Sequence, residues 1–214
     1  GLKEFFIRDA VPSVTISGTK VTPSTTKGPR VVLWDFGAKD NIERELLKRG
    51  ATVIRMPSHS TCEEILAQKP DAIMLSNGPG DPEEAQGVIA ELKKLSAHKL
   101  PTFGICLGHQ LLALSHGFKT FKLKYGHRGA NQPARDLVTD RIFITSQNHG
   151  YAVDPSTIDA NVAKERFVNS NDGTCEGIDY VNEPTFSVQF HPEACGGPKD
   201  TAYLFDRFFD MMEV

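Results

Sequence analysis

Residues 103–110 read FGICLGHQ and set Cys106 between Gly104 and Gly108, after an apolar run and before a helical one. A G-x-C-x-G at such a junction is the thiol counterpart of the nucleophile elbow, a tight strained turn that projects its side chain into a cleft. The glycines keep side chains away from neighbouring strands and from an incoming substrate. The sulfur sits at a helix N-terminus, where partial positive charge and unsatisfied amides favour an anion, and the Leu107 N–H is placed to donate to an oxyanion. Cys106 alone also fits a small residue buried at a crowded junction, so its partners decide the reading.

FHPE (190–193) supplies candidates for those partners. His191 precedes a proline, which biases it toward extended backbone, and in an extended segment residues i and i+2 share a side. His191 and Glu193 are therefore expected side by side, one imidazole nitrogen on the carboxylate and the other reaching the thiol: nucleophile, base and orienter. SNGPGDP (76–82) is a rigid glycine-rich loop whose backbone approaches a ligand closely and offers N–H groups to an oxyanion or carboxylate. It lacks the Gly-Lys-Ser/Thr ending of a phosphate loop.

Something must hold these pieces at one end of a scaffold. VVLWDF (31–36), ATVIRM, DAIMLS and TFGIC read as apolar strands, each followed by a helical stretch: NIERELLKRG, TCEEILAQ with Thr61 as N-cap, EEAQGVIAELKKL and LGHQLLALSHG. Ala85, Val88, Ile89, Leu92 and Leu95 fall at helical spacing on one face. Four βα units in series predict an α/β fold with a doubly wound, mostly parallel open sheet, whose ligands bind beyond the carboxyl ends of the strands. That rule selects the 77–82 loop, Cys106 and His191. After residue 117 come short β-like runs (FKTFKLK, RIFIT, EGIDYV, TFSVQF), read as a small antiparallel extension plus strands completing the sheet, and DTAYLFDRFFDMM closes the chain as a helix. Residues 17–30 have linker composition, so 1–28 are read as a linker from a missing N-terminal domain and 29–214 as the domain itself.

Composition narrows the partners. The 214 residues carry 24 Lys+Arg against 27 Asp+Glu, a net charge of -3 that points to no nucleic acid and no anionic membrane. No apolar run is long enough to span a bilayer and GLKEFFIRDA has no signal-peptide core, which predicts a cytoplasmic protein. Cys62, Cys106, Cys175 and Cys195 form no CxxC pair and are read as free thiols, and the seven histidines show no metal-ligand spacing, so no metal is expected.

Together GICLGHQ, SNGPGDP, QNHGYAVD (147–154) and QFHPE resemble the class I glutamine amidotransferases, whose flavodoxin-like domain carries a Cys-His-Glu triad. DFGAKDNI, KYGHRGANQP and GPKDTAYLFDRF bring the likeness closest to the glutaminase domain of carbamoyl phosphate synthetase, as a small subunit or a fused form. The resemblance implies hydrolysis of L-glutamine to glutamate and ammonia through a thioester, with the ammonia delivered to a synthetase large subunit or fused domains. Cys106 would be the nucleophile, His191 the general base and later acid, and Glu193 its orienter. Gly80 and Leu107 would supply oxyanion amides, and Gly78, Gln110, Asn148, Gly150 and Tyr151 would hold the amino acid. No cofactor is implied in this domain; ATP and magnesium belong to the partner. The family's small subunit carries a further N-terminal domain, so the chain is read as a fragment or an excised portion of a fused polypeptide.

Rival readings are a γ-glutamyl hydrolase or intracellular protease with a similar Cys-His pair, an anthranilate- or GMP-synthetase glutaminase, and a docking module without chemistry. His109 is read as support, Cys195 as incidental, and His127 and Arg128 as either partner contacts or hairpin decoration.

Overall fold

The computed structural model describes residues 9–194 and 200–212. The described chain begins with α1 (Ala10–Val14) and β1 (Lys20–Thr22), then runs through four strand-helix units. These are β2 (Arg30–Asp35) with α2 (Asp40–Lys48), β3 (Thr52–Pro57) with α3 (Cys62–Ala67), β4 (Ala72–Leu75) with α4 (Gln86–Ser96), and β5 (Thr102–Ile105) with α5 (Leu107–Ser115). Thr61 caps α3 as expected, in a full capping box with Glu64. The strands alternate between two cores. Val32, Trp34 and Phe36 face the side that packs Ile65, Leu92 and Leu111 of α3, α4 and α5, whereas Val31 and Leu33 face Ile42 and Leu46 of α2. Apolar runs without polar alternation are what burial on both faces demands.

The second half contributes β6 (Thr120–Asp136), β7 (Ile142–Val153), β8 (Ala163–Asn169), β9 (Cys175–Tyr180), β10 (Thr185–Val188) and α6 (Tyr203–Asp210). All ten strands form one sheet in the order β1-β3-β2-β4-β5-β10-β9-β8-β6-β7. The segment β3-β2-β4-β5-β10 is parallel throughout, so the last strand of the chain returns beside β5 and brings the residues after Val188 next to Cys106. The remaining pairs are antiparallel. The extension is larger than the sequence suggests. β6 is a bulged strand of 17 residues that absorbs KYGHRGANQP, and β8 (AKERFVN) joins the sheet although three charged residues in a row, Lys164 to Arg166, hide its apolar period in the sequence.

The segment read as linker runs along the edge of the sheet. Residues 20–22 pair with Val53–Arg55 of β3 and extend the sheet, the Thr15 hydroxyl donates to the Asp35 carbonyl at 2.6 Å, and the Ile16 amide donates to the Asp35 carboxylate at 3.1 Å. Its polar, turn-rich composition reflects an edge strand and an exposed crossing rather than detachment.

Two glycines fix how closely α5 approaches the sheet. A Cβ on Gly108 would stand 2.5 Å from the Leu75 carbonyl oxygen of β4, and one on Gly104 would stand 2.9 Å from the backbone of Gly108. A Cβ on Gly87, by contrast, would meet nothing within 4 Å. Gly108→Ala should therefore cost about 1–3 kcal/mol of stability as the helix is pushed off its strand, while Gly87→Ala should be neutral or slightly stabilising; urea midpoints of the two variants check this.

Candidate active site

Cys106 occupies the N-cap of α5 with φ 54° and ψ -103°, a backbone conformation that L-residues rarely adopt. The turn is held from both sides. The Cys106 amide donates to Val188 O at 2.9 Å, and the Gly108 amide donates to Ser76 O at 3.0 Å. Those bonds tie the elbow to the ends of β10 and β4.

His191 follows β10 and lies within hydrogen-bonding reach of the Cys106 sulfur. Its Nδ1 is 2.7 Å from Glu193 Oε1, which leaves Nε2 for the sulfur. All three side chains are buried, at 5%, 5% and 2% exposure for Cys106, His191 and Glu193. The route to this contact differs from the sequence expectation. The segment is not an extended strand placing i and i+2 on one side; it is a turn, closed by the Ala194 amide donating to His191 O at 3.2 Å. Turning about Pro192 brings Glu193 back against the imidazole. The His191 amide donates to Ser146 O of β7 at 2.9 Å, so the antiparallel extension helps to seat the ring.

Burial opposes a charge on His191, yet the Cys106 sulfur and the hydrogen bonds to Cys106 and Glu193 outweigh it and raise its pKa from 6.5 to about 10. Glu193 moves the other way. Burial would raise its pKa, but the hydrogen bond and charge of His191, with the charge of Lys39, hold it below the ordinary carboxylate value. Lys39 was not singled out by sequence reasoning, although DFGAKDNI contains it. Its ammonium lies 3.6 Å from Glu193 Oε1 and 3.3 Å from His191 Nδ1, and Asn41 Nδ2 donates to the Glu193 carbonyl.

The 76–80 loop is interlocked with the 35–41 loop. Asn77 Oδ1 accepts from the Lys39 amide at 3.0 Å, Asn77 Nδ2 donates to Gly37 O at 3.2 Å, and Ser76 Oγ accepts from the Phe36 amide at 2.8 Å. Gly78 presses on Phe36 and Leu107, where a Cβ would meet Phe36 O at 2.3 Å. Gly80 has φ 93° and backs onto Ala10 of α1. The buried Leu107 opens α5, where its amide has no intrahelical acceptor.

The remaining predicted residues divide. Asn148, Gly150 and Tyr151 lie along β7, with Asn148 exposed and the other two half-buried. The Tyr151 hydroxyl is hydrogen-bonded to Asp81, and burial together with that bond raises its pKa to about 12. Tyr151 thereby ties β7 to the glycine-rich loop. Gln110 is buried, and its amide nitrogen is committed to Tyr151 O at 2.9 Å and Gln189 Oε1 at 2.8 Å. It braces the strand that carries Asn148–Tyr151 instead of pointing its amide N–H groups into open space.

His109 is fully buried with Nδ1 2.8 Å from Ser187 Oγ, and burial lowers its pKa to about 3, so it serves as a neutral core group. Cys62, Cys106 and Cys175 are free thiols; Cys195 lies outside the described residues. A cavity of about 880 Å³ lies behind the 79–81 loop, bounded by α1, residues 58–61 and α4, and does not include the sulfur. No helix among the described residues is long and apolar enough to cross a membrane.

Comparison with known proteins gives a consistent picture. Residues 32–211 match the family model for "Glutamine amidotransferase class-I". The carbamoyl phosphate synthase small chain of Staphylococcus saprophyticus is 50% identical over 208 residues, covering 94% of this chain and 57% of that protein. Its Fusobacterium nucleatum counterpart is 49% identical over 193 residues, covering 90% and 54%. The chain thus spans about half the length of the curated relatives it matches. Among solved structures, a protein of Thermoplasma acidophilum described as a GMP synthase subunit superposes with a TM-score of 0.77 at 19% identity, covering 88% of this chain and 96% of that one. A glutamine amidotransferase of Thermotoga maritima gives 0.62 at 16% identity, covering 79% and 78%. At these identities the two structures speak to the fold.

Because His191 is raised above its ordinary value, its contribution to stability is fully present below about pH 6.5 and is lost as pH climbs toward 10. Nitrogen-15 NMR of the ring should show an imidazolium well past neutral pH. Cys106→Ser should move that titration down toward the ordinary histidine range, since a hydroxyl carries no charge; equal midpoints in the two proteins would rule out the sulfur as its partner.

Proposed function

The chain belongs to the class I glutamine amidotransferases, and on that footing we propose that it is the glutaminase portion of a carbamoyl phosphate synthetase, working in the cytosol. The observation that carries the reading is the buried chain of contacts from Cys106 through His191 to Glu193 at a strained elbow. Such a chain sets an imidazolium between the sulfur that would attack and the carboxylate that orients the ring, before any substrate arrives.

In the proposed reaction the Cys106 sulfur attacks the γ-amide carbon of L-glutamine, and the carbonyl oxygen takes up the negative charge. The amides of Leu107 and Gly80 would face that oxygen, one from a helix N-terminus and one from the glycine-rich loop. His191 then gives its Nε2 proton to the leaving nitrogen, which departs as ammonia and leaves a γ-glutamyl thioester. Water attacks the thioester as His191 takes a proton back, and glutamate leaves as Cys106 is regenerated. Glu193 keeps the ring oriented throughout, and Lys39 and Asn41 keep Glu193 ionised and in place. Gly78, Asn148, Gly150 and Tyr151 would line the place for the amino and carboxylate groups, with Gln110 acting from behind. The chemistry draws on side chains and backbone amides; ATP and magnesium would be used by the synthetase portion that receives the ammonia. The high identity to small chains of carbamoyl phosphate synthases supports this assignment over the anthranilate and GMP branches.

Ammonia release from glutamine, measured for the chain alone and with a carbamoyl phosphate synthetase large subunit, tests the proposal. Turnover should rise with the partner and fall by about 10⁴-fold or more in Cys106→Ser; activity on γ-glutamyl peptides in place of glutamine would instead assign a hydrolase of another kind. Tyr151→Phe should raise KM by about 3- to 10-fold with a smaller change in kcat, because losing one hydrogen bond to Asp81 unpins the loop from β7.

A further inference from the structure

Away from the sulfur, the antiparallel half of the sheet gathers a second set of chemically capable side chains. His127 on β6 and His149 on β7 are directly paired across the ladder, and their rings meet edge to face with centroids 4.9 Å apart. Glu176 on β9 points at both. His127 Nδ1 is 3.2 Å and His149 Nε2 is 3.8 Å from Glu176 Oε1, and the three candidate ligand atoms lie within 4.8 Å of one another. Glu176 is fully buried, and its second oxygen, Oε2, has no hydrogen-bond partner.

The surroundings fix which atoms face inward. A carbonyl oxygen only accepts, so His149 Nδ1, 2.8 Å from Tyr151 O, carries the proton of the neutral ring and turns the Nε2 lone pair toward the cluster. Thr145 Oγ1 donates to Gln132 O at 2.8 Å and therefore accepts from Gln147 Nε2 at 3.0 Å. That places Gln147 Oε1, another acceptor, 3.2 Å from His149 Nε2. On the other side, His127 Nε2 is held at 2.8 Å by Asp172 Oδ2, leaving Nδ1 to point inward. One donor, Asn169 Nδ2, reaches the group, and only at 3.5 Å from His127 Nδ1 and from Glu176 Oε1. A lone pair, an amide oxygen and a buried carboxylate with an unpartnered oxygen thus converge on one point. An arrangement so rich in acceptors is stable only around a positive charge.

We propose that His127 Nδ1, His149 Nε2 and the Glu176 carboxylate form a binding site for a divalent transition metal cation of the zinc class. Two imidazoles and a carboxylate are a zinc-type donor set, and Gln147 Oε1 stands beside them as a further oxygen. Metal-donor bonds of about 2.0–2.1 Å in a tetrahedron put ligand atoms about 3.3 Å apart, and the 3.2 and 3.8 Å separations bracket that value. Each histidine also has its outer nitrogen held as metal-bound histidines do, one by a carboxylate and one by a backbone carbonyl. The ion would staple β6, β7 and β9 together. Through Tyr151 O, which both His149 and Gln110 grip, it would hold the strand bearing Asn148–Tyr151 and so act as a positioning element. Sequence spacing gives no sign of it, because the ligands come from three strands and are scattered over 50 residues.

Equilibrium dialysis of the chelator-stripped full chain against cobalt(II), followed by metal analysis and visible absorption, tests the site. The expected result is one ion per chain with the d–d bands of a nitrogen- and oxygen-ligated ion and no sulfur-to-cobalt charge transfer. Glu176→Gln should abolish that spectrum. Asp172→Asn, on a half-exposed loop residue where folding is not at stake, should weaken binding by about 10- to 100-fold as loss of an outer-shell partner. Loading should also raise the thermal midpoint of the unmutated chain. Absence of binding, binding with thiolate charge transfer, or binding unchanged in both variants would overturn the proposal; in the first case the cluster holds protons instead.

Discussion

The close approach of α5 to β4 and β5 is the constraint from which the rest of the site follows. Gly104 and Gly108 have no Cβ because backbone already occupies that volume, and the chain between them has room for only one unusual conformation, taken by Cys106. A residue in that region costs about 1–3 kcal/mol and persists only where its surroundings over-determine it. Here the surroundings are the bonds from Cys106 N to Val188 and from Gly108 N to Ser76. The strain is thus held by the same strand ends that deliver His191 and the glycine-rich loop. Moving the elbow would break both deliveries.

A second fixed point is the Asp35 carboxylate, which is fully buried at the end of β2. It accepts from the amides of Gly37, Ala38 and Ile16 at 2.8, 2.7 and 3.1 Å and from Arg55 Nε at 3.0 Å. With four donors converging on it, desolvation is offset, and breaking such a buried pair from one side typically costs about 3–5 kcal/mol. What the carboxylate organises is the turn that presents Lys39 and Asn41 to Glu193. The outer partners of the triad are therefore positioned from β2 and α2, while the triad itself comes from β5 and the turn after β10. The segment ahead of β2 takes part too, through Ile16 and Thr15 on Asp35 and through Ala10 behind Gly80.

The parallel half was legible because strands buried on both faces read as unbroken apolar runs and their helices carry a one-sided period. The elbow was legible because few arrangements demand glycines on both sides of a cysteine. His191 and Glu193 were found for a reason only partly right: their proximity depends on a turn about Pro192, and alternation along a strand happened to point to the same pair. Lys39 escaped because nothing local in an exposed-looking loop says that its ammonium will meet a residue 154 positions later. The same holds for β1 and β8, whose charged and polar residues break the apolar period and whose membership in the sheet is set by distant partners. Gln110 is given to the amino acid by the family resemblance alone, and its amide nitrogen donates to Tyr151 O and Gln189 Oε1.

That use of Gln110 says what the antiparallel extension adds to a domain whose triad residues follow two strands of the parallel segment. In the proposed reaction a cysteine sulfur beside an imidazolium would attack whatever carbonyl is brought to it, so selectivity would come from groups that grip the rest of the amino acid. On the proposed reading those groups would sit on β7, which is the edge strand of the sheet and has β6 as its only ladder partner among the described residues. An edge strand left to itself is mobile on the scale of a hydrogen bond. β7 is instead anchored from three sides: Ser146 O by the His191 amide, Tyr151 O by Gln110, and the Tyr151 hydroxyl by Asp81. Each anchor ends on a different element of the reactive half. The distance between where an amino acid would be held and where the sulfur waits is in this way fixed by the whole fold, and the extension is the part of it that measures that distance.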